Sequence, residues 1–221
     1  IIFDITSFYA ESGGQLGDQG FLTSQDVEVS VQTVKKKNNI FIHSGKIEKG
    51  ILRVDSSVKM RVSPSFRQRT NSNHTATHLL QSALKLLIDP SVSQRGSLVA
   101  FDRLRFDFNS PKGLTLHELQ EMEAQINQWI IEDHPIQIKT MPIKEALAAG
   151  ALAMFGEKYG EIVRVVDVPG VSMELCGGTH VTRTSQLGTF KIINELGISS
   201  GIRRIEALAG PSVLDYLNER D

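Results

Sequence analysis

Apolar and polar positions alternate in short runs over the first 62 residues, and a spacing of three and four takes over after them. Residues 1–6 read as a short apolar strand. Val27, Val29 and Val31 alternate with Glu28 and Ser30, which predicts a half-buried strand. Ile40-Phe41-Ile42, residues 51–54 and residues 58–62 are expected to follow as strands, separated by glycines and Asn38-Asn39. Several short strands joined by tight turns predict a small glycine-rich β-barrel over residues 1–63. Ser63-Pro64-Ser65 marks the boundary: either serine can cap a helix, and Pro64 fits its first turn.

From there Ala76, Leu79, Leu80, Ala83, Leu84 and Leu87 trace one helical face, ended by Asp89-Pro90. Residues 98–108 predict a strand, with Leu104, Phe106 and Phe108 alternating against Arg103, Arg105 and Asp107. Thr115 and Glu118 form a capping box that opens an amphipathic helix through Leu119, Met122, Ile126 and Ile130. A strand at 136–138, a short helix at 144–149 closed by Gly150, and strands at 162–168, 189–196 and 202–208 complete the pattern. A last helix starts near Pro211 and is cut off at Asp221. Long helices between non-adjacent strands predict, for residues 64–221, an α+β two-layer sandwich with helices covering one sheet face.

Composition narrows the function classes. The chain has 221 residues, 40% hydrophobic and 22% charged, the balance of a globular protein large enough for real cores. No apolar run approaches the roughly 18 residues of a membrane helix, so no membrane partner is expected. The single cysteine excludes an internal disulfide framework and fits a reducing compartment. A cytoplasmic location is therefore expected, with an organellar one open for a eukaryotic source. The start, Ile1-Ile2-Phe3-Asp4, lacks a methionine and a signal-peptide pattern, so the piece is expected to be excised from a longer chain. A net charge of −1 gives no general pull toward nucleic acid, and any polyanion must be met by local patches.

Two signatures carry the chemistry. His74 and His78 lie four apart on the predicted helix and can point at one ion. Cys176 and His180 flank two glycines, which let the backbone fold tightly and bring thiolate and imidazole together. Three imidazoles and one thiolate suit Zn²⁺, while a lone histidine pair would more often be a satisfied core pair. Thr75 stands where a zinc peptidase of the HExxH type needs its glutamate base, so that reaction is disfavoured. The segment 11–20 (Glu11, Gly13, Gly14, Gln15 and beyond) is glycine-dense, which fits either a sharp hairpin or close approach of backbone to a ligand.

As a set, these motifs resemble the editing region of alanyl-tRNA synthetase and the related free-standing AlaX editing proteins. The resemblance rests on residues 8–15, the His74–His78 pair, residues 93–97 (Ser-Gln-Arg-Gly-Ser), residues 104–108, the Cys176-Gly177-Gly178-Thr179-His180 run and residues 201–206. It spans essentially the whole chain. The threonyl-tRNA synthetase editing domain has a related histidine helix but a different cysteine motif.

The resemblance implies a glycine-rich barrel followed by an editing domain of the threonyl/alanyl type. It implies zinc on His74, His78, Cys176 and His180, and hydrolysis of Ser-tRNA(Ala) and Gly-tRNA(Ala), with no aminoacylation by this piece. Thr77 is implied to read the seryl hydroxyl, and Gln94 to line the pocket. Residues 11–20, with Glu11, Gly13, Gly14 and Gln15, become a pocket wall. The partners implied are the tRNA(Ala) acceptor end carrying Ser or Gly, and the rest of the synthetase. Arg203, Arg204, Arg69 and Arg95 are candidate tRNA contacts, with Arg203 first; Arg67 and Lys35-Lys36-Lys37 join them as phosphate contacts or a solvated face. Zinc would either activate water or position the substrate, and four protein ligands favour positioning. A different class, a structural zinc module that binds tRNA without chemistry, remains the alternative.

Overall fold

The computed structural model describes residues 1–153 and 159–219. In chain order its elements are β1 (Gly20–Thr23), β2 (Glu28–Lys37), β3 (Ile40–Lys49), β4 (Lys59–Val62), α1 (Pro64–Leu87), β5 (Gln94–Val99) and β6 (Leu104–Asn109). They continue with α2 (Leu116–Ile131), β7 (Gln137–Pro142), α3 (Ile143–Ala148), β8 (Ile162–Val168), β9 (Ser172–Leu175), β10 (Phe190–Ser199), β11 (Ile202–Ala209) and α4 (Pro211–Asn218). The strands form three antiparallel sheets, ordered β3-β2-β1-β4, β10-β11-β6-β5 and β7-β8-β9.

The expected barrel does not form among the described residues: the first sheet is open, with β3 and β4 as its edges. Closing a barrel needs every strand paired on both sides, and the runs 1–6 and 51–54 that would add strands stay irregular. Ile5 is 83% and Val54 91% exposed, while Phe3 and Leu52 pack on the core of the first sheet. The expected strand at 98–108 is instead the hairpin β5–β6, turned where Ala100 N–H donates to Arg103 O at 2.9 Å. Ser63 occupies the helix N-cap position but makes no side-chain cap bond; its backbone N–H donates to Gln19 O. The expected run of the last helix to Asp221 lies outside the described residues.

The main core lies between one face of the sheet β10-β11-β6-β5 and helices α1 and α2. Alternation puts Leu104, Phe106 and Phe108 of β6 on that face, with Ile205 and Ala207 of β11 beside them. Ala76, Leu79, Leu80, Ala83 and Leu84 of α1 meet Met122, Ile126 and Ile130 of α2 over it. On the other face Asp107 pairs with Arg204. α2 opens with its expected capping box, Thr115 Oγ1 accepting from Glu118 N–H while Glu118 accepts from Thr115 N–H at 2.7 Å. Phe106→Ala is expected to lower the unfolding free energy by about 3–5 kcal/mol, measured by urea denaturation; a loss below about 1 kcal/mol would mean that this face is not the core.

Residues 9–19 tie the first sheet to the second. Glu11 N–H donates to Val34 O of β2 at 2.8 Å. Three residues later Val99 N–H donates to Gly14 O, and Leu16 N–H donates to Val99 O, at the end of β5. Asp18 accepts from Tyr9 N–H and pairs with Arg67 of α1. Gly14 has φ +82°, and a side chain there would overlap Ser97 of β5, so the glycine is required by both backbone conformation and space.

Candidate metal centre and its cavity

The middle of α1 is buried all round, yet Ser72, Asn73, His74, Thr75, Thr77, His78 and Gln81 are polar. Core packing does not select such residues, so each needs a partner. Asn73 bridges two strands, donating to Ala100 O and accepting from Ala209 N–H. The two histidines face the loop that follows β9. There Cys176 N–H donates to Arg164 O of β8, and the Arg164 guanidinium donates to the carbonyls of Cys176 and Gly178 at 2.7 and 2.8 Å. Asn71 holds the far end of the loop by donating to His180 O.

His74, His78, Cys176 and His180 thus converge, with one ligand atom from each within 4.8 Å of all the others. Bonds of about 2.3 Å to sulfur and 2.0–2.1 Å to nitrogen at tetrahedral angles place neighbouring ligand atoms about 3.3–3.6 Å apart. Cys176 Sγ lies 3.5 Å from His74 Nε2 and 3.3 Å from His180 Nε2. The donor set and its spacing fit a four-coordinate zinc ion.

Outer partners hold two of the imidazoles by their other nitrogens, and a carboxylate faces the third. His74 Nδ1 meets Gln15 Oε1 at 2.7 Å, His180 Nδ1 meets Thr75 Oγ1 at 3.1 Å, and His78 Nδ1 lies 3.6 Å from the Glu174 carboxylate. Such second contacts orient metal-binding imidazoles and set which nitrogen is open. Burial would raise the Cys176 thiol, but His74, His78 and the hydrogen bond with His180 overcome it and hold the thiol well below its ordinary range. Burial and the neighbouring His74 push His180 down to about 3. Both groups are therefore in their ligand forms, thiolate and neutral imidazole, at neutral pH. Burial also disfavours charge on His78, but the Glu174 carboxylate and Cys176 thiolate outweigh it and lift the imidazole to about 9. Burial raises the Glu174 carboxyl as well. We place the proton of this pair on His78, because anionic groups flank it on two sides.

His74, His78 and Cys176 of the cluster form one wall of a cavity of about 290 Å³ that Thr77, Gln94, Tyr9 and Ser97 also line. Burial raises the Tyr9 phenol to about 12, so it stays neutral, donating to Ser12 O. Ser12 and Gly13 line the cavity too, whereas Gln15 reaches His74 of the cluster directly. Sequence reasoning missed Glu174, Arg164, Tyr9 and Thr75. One signal was present for Glu174: it stands two residues before Cys176, the spacing at which extended chain returns to the same face.

Two family matches fall on this chain. Residues 163–206 match the family described as "Threonyl and Alanyl tRNA synthetase second additional domain", and residues 1–66 match "tRNA synthetases class II (A)". Over all 221 residues the chain is 79% identical to the alanine–tRNA ligase of Prochlorococcus marinus (strain NATL1A). It is likewise 59% identical to that of Trichormus variabilis and 60% identical to that of Synechococcus elongatus. This chain belongs to the alanyl-tRNA synthetase family. It spans 25% of the length of each of these relatives.

The arginines suggested for tRNA on this alanyl-tRNA synthetase segment are mostly engaged with the protein itself. Arg203 grips Glu195 with two bonds of 2.6 Å, and Arg204 grips Asp107 at 2.7 and 2.9 Å. Arg69 bonds Asp215 at 2.7 Å. Arg95 is exposed on β5, and Lys35, Lys36 and Lys37 are exposed at the end of β2, with Lys36 over the Phe41 ring. No described helix is long and apolar enough to cross a membrane.

Proposed function

We propose that this chain is the editing region of an alanyl-tRNA synthetase and hydrolyses the aminoacyl ester of Ser-tRNA(Ala), and of Gly-tRNA(Ala), releasing amino acid and free tRNA. The observation that carries the reading is the convergence of His74, His78, Cys176 and His180, the first three of them lining a cavity shared with Thr77 and Gln94. The division into residues 1–63 and 64–221 belongs to the same proposal, with residues 11–20 reaching across to the pocket.

Energetics explain the need for such a site. A synthetic pocket for alanine discriminates one small group by only about 1–3 kcal/mol, and a second site that hydrolyses the error supplies the rest. His74, His78, Cys176 and His180 would hold a zinc ion, whose positive charge would help anchor polar groups of the aminoacyl end. Thr77 supplies the selectivity. Its hydroxyl donates to Asn73 O at 2.8 Å, so toward the cavity it presents only acceptor lone pairs. A seryl O–H satisfies that buried acceptor, whereas an alanyl methyl leaves it unpaired at a cost of about 1–3 kcal/mol. Glycine carries no hydroxyl for Thr77, and its inclusion rests on the family resemblance. The Gln94 amide lines the same cavity and is the candidate to orient the attacking water. The ester is intrinsically labile, so orientation is the main requirement. The tRNA acceptor end reaches the cavity from outside, with Arg95 and Lys35–Lys37 as its exposed basic contacts and Arg203, Arg204 and Arg69 available on exchange of their carboxylate partners.

The four-ligand set also favours a second reading, a closed structural zinc site that binds tRNA without chemistry. Incubating the purified chain with Ser-tRNA(Ala) and Ala-tRNA(Ala) separates the two. Selective release of serine, lost on metal chelation, is the expected result; stability of both esters at high enzyme concentration leaves only the binding module.

A further inference from the structure

We propose that Gln15 is a positioning residue for the metal ligand His74, so that the segment 11–20 and a bound zinc ion hold each other in place. This rests on the metal reading above. The argument starts from a donor that cannot be reversed. The Thr179 backbone N–H can only donate, and it meets one amide atom of Gln15 at 2.9 Å, which must therefore be the oxygen. The other amide atom, Nε2, then donates to Thr179 Oγ1 at 2.8 Å, as the orientation requires. The same Gln15 oxygen lies 2.7 Å from His74 Nδ1. An amide oxygen carries no proton, so Nδ1 of His74 bears the hydrogen. A neutral imidazole has one N–H, which puts its lone pair on Nε2, the atom facing Cys176 Sγ. Gln15 thereby selects the tautomer that can bind a cation.

The coupling runs through packing as well. Gln15 is fully buried, and its backbone neighbours Gly14 and Leu16 are bonded to Val99 on either side. A side chain at Gly178 would overlap both the His74 ring and Gln15 Oε1, so loop, ligand and amide form one packed unit. A cation that fixes the ring fixes the amide, and with it the glycine-rich segment that walls the cavity.

Two variants separate this role from simple packing. Q15L removes both polar atoms but keeps the volume; Q15E keeps an oxygen that accepts from His74 Nδ1 and Thr179 N–H, and gives a carboxylate–histidine pair. Zinc affinity is read by chelator competition on the full 221-residue chain, ligation by the visible spectrum of the Co²⁺-loaded form, and the loop by proteolysis within residues 11–20 with and without metal. The expected result is one ion per unaltered chain, affinity weakened about 10–100-fold in Q15L with faster cleavage of the loop, and retention in Q15E. A packing role predicts the reverse order, because leucine suits a dry site and a buried carboxylate does not. Q15L holding metal as tightly as the unaltered chain, or Q15E losing it as fully as Q15L, would overturn the role of Gln15 alone. No ion on the unaltered chain would overturn the metal reading itself.

Discussion

Cys176→Ala is expected to strip zinc from the chain and abolish clearance of Ser-tRNA(Ala), leaving the fold intact. The thiolate is the anionic member of the set; without it three neutral imidazoles alone must hold a divalent ion. Loss of an outer-shell partner alone weakens metal affinity about 10–100-fold, so losing a direct ligand should exceed about 100-fold. The fold should survive because Cys176 belongs to none of the three hydrophobic clusters. Metal content by elemental analysis and serine release from Ser-tRNA(Ala) are the measurements, with far-ultraviolet circular dichroism as the control. Unchanged rates with a full complement of metal would remove Cys176 from the ligand set.

The second large effect falls on a residue with no functional group. Gly178→Ala should match Cys176→Ala in lost metal and activity, whereas Gly177→Ala, one residue earlier, should stay within about twofold of the unaltered chain, below the roughly tenfold least cost of a lost outer-shell partner. A methyl at Gly178 would enter the His74 ring and the Gln15 amide, while one at Gly177 meets nothing within 4 Å. Neither glycine has a positive φ, so backbone strain does not blur the comparison. His74 would have to rotate away from Cys176, and the tetrahedral spacing would go with it. Equal tolerance at both positions would mean that His74 is free to move and that its place does not define the site.

Much of this was legible in the order of residues. Helical spacing located α1 to within one residue at its C-terminus, and its i, i+4 histidines were readable because four residues are one turn. The capping box, the alternation of Leu104, Phe106 and Phe108, and the cysteine–histidine pair across two glycines are likewise local patterns. They report which side chains share a face, and hence which can meet a common ion.

Other features depend on partners distant in sequence. The barrel expected for residues 1–63 is an open sheet because the runs at 1–6 and 51–54 stay irregular, the first meeting the β3 edge through Ile1, which exchanges backbone bonds with His43. Arg203 and Arg204 read as a basic pair, but cross-strand neighbours supply Asp107 to one and Glu195 to the other. Gln15 sits 59 positions from His74 and 164 from Thr179, and no periodicity announces that its amide links them. Sequence by itself determined which four side chains are candidate ligands, because coordination chemistry belongs to residue types and short spacings. Only the tertiary structure decided which imidazole nitrogen faces the cluster, because tautomer choice depends on hydrogen-bond partners brought together by folding.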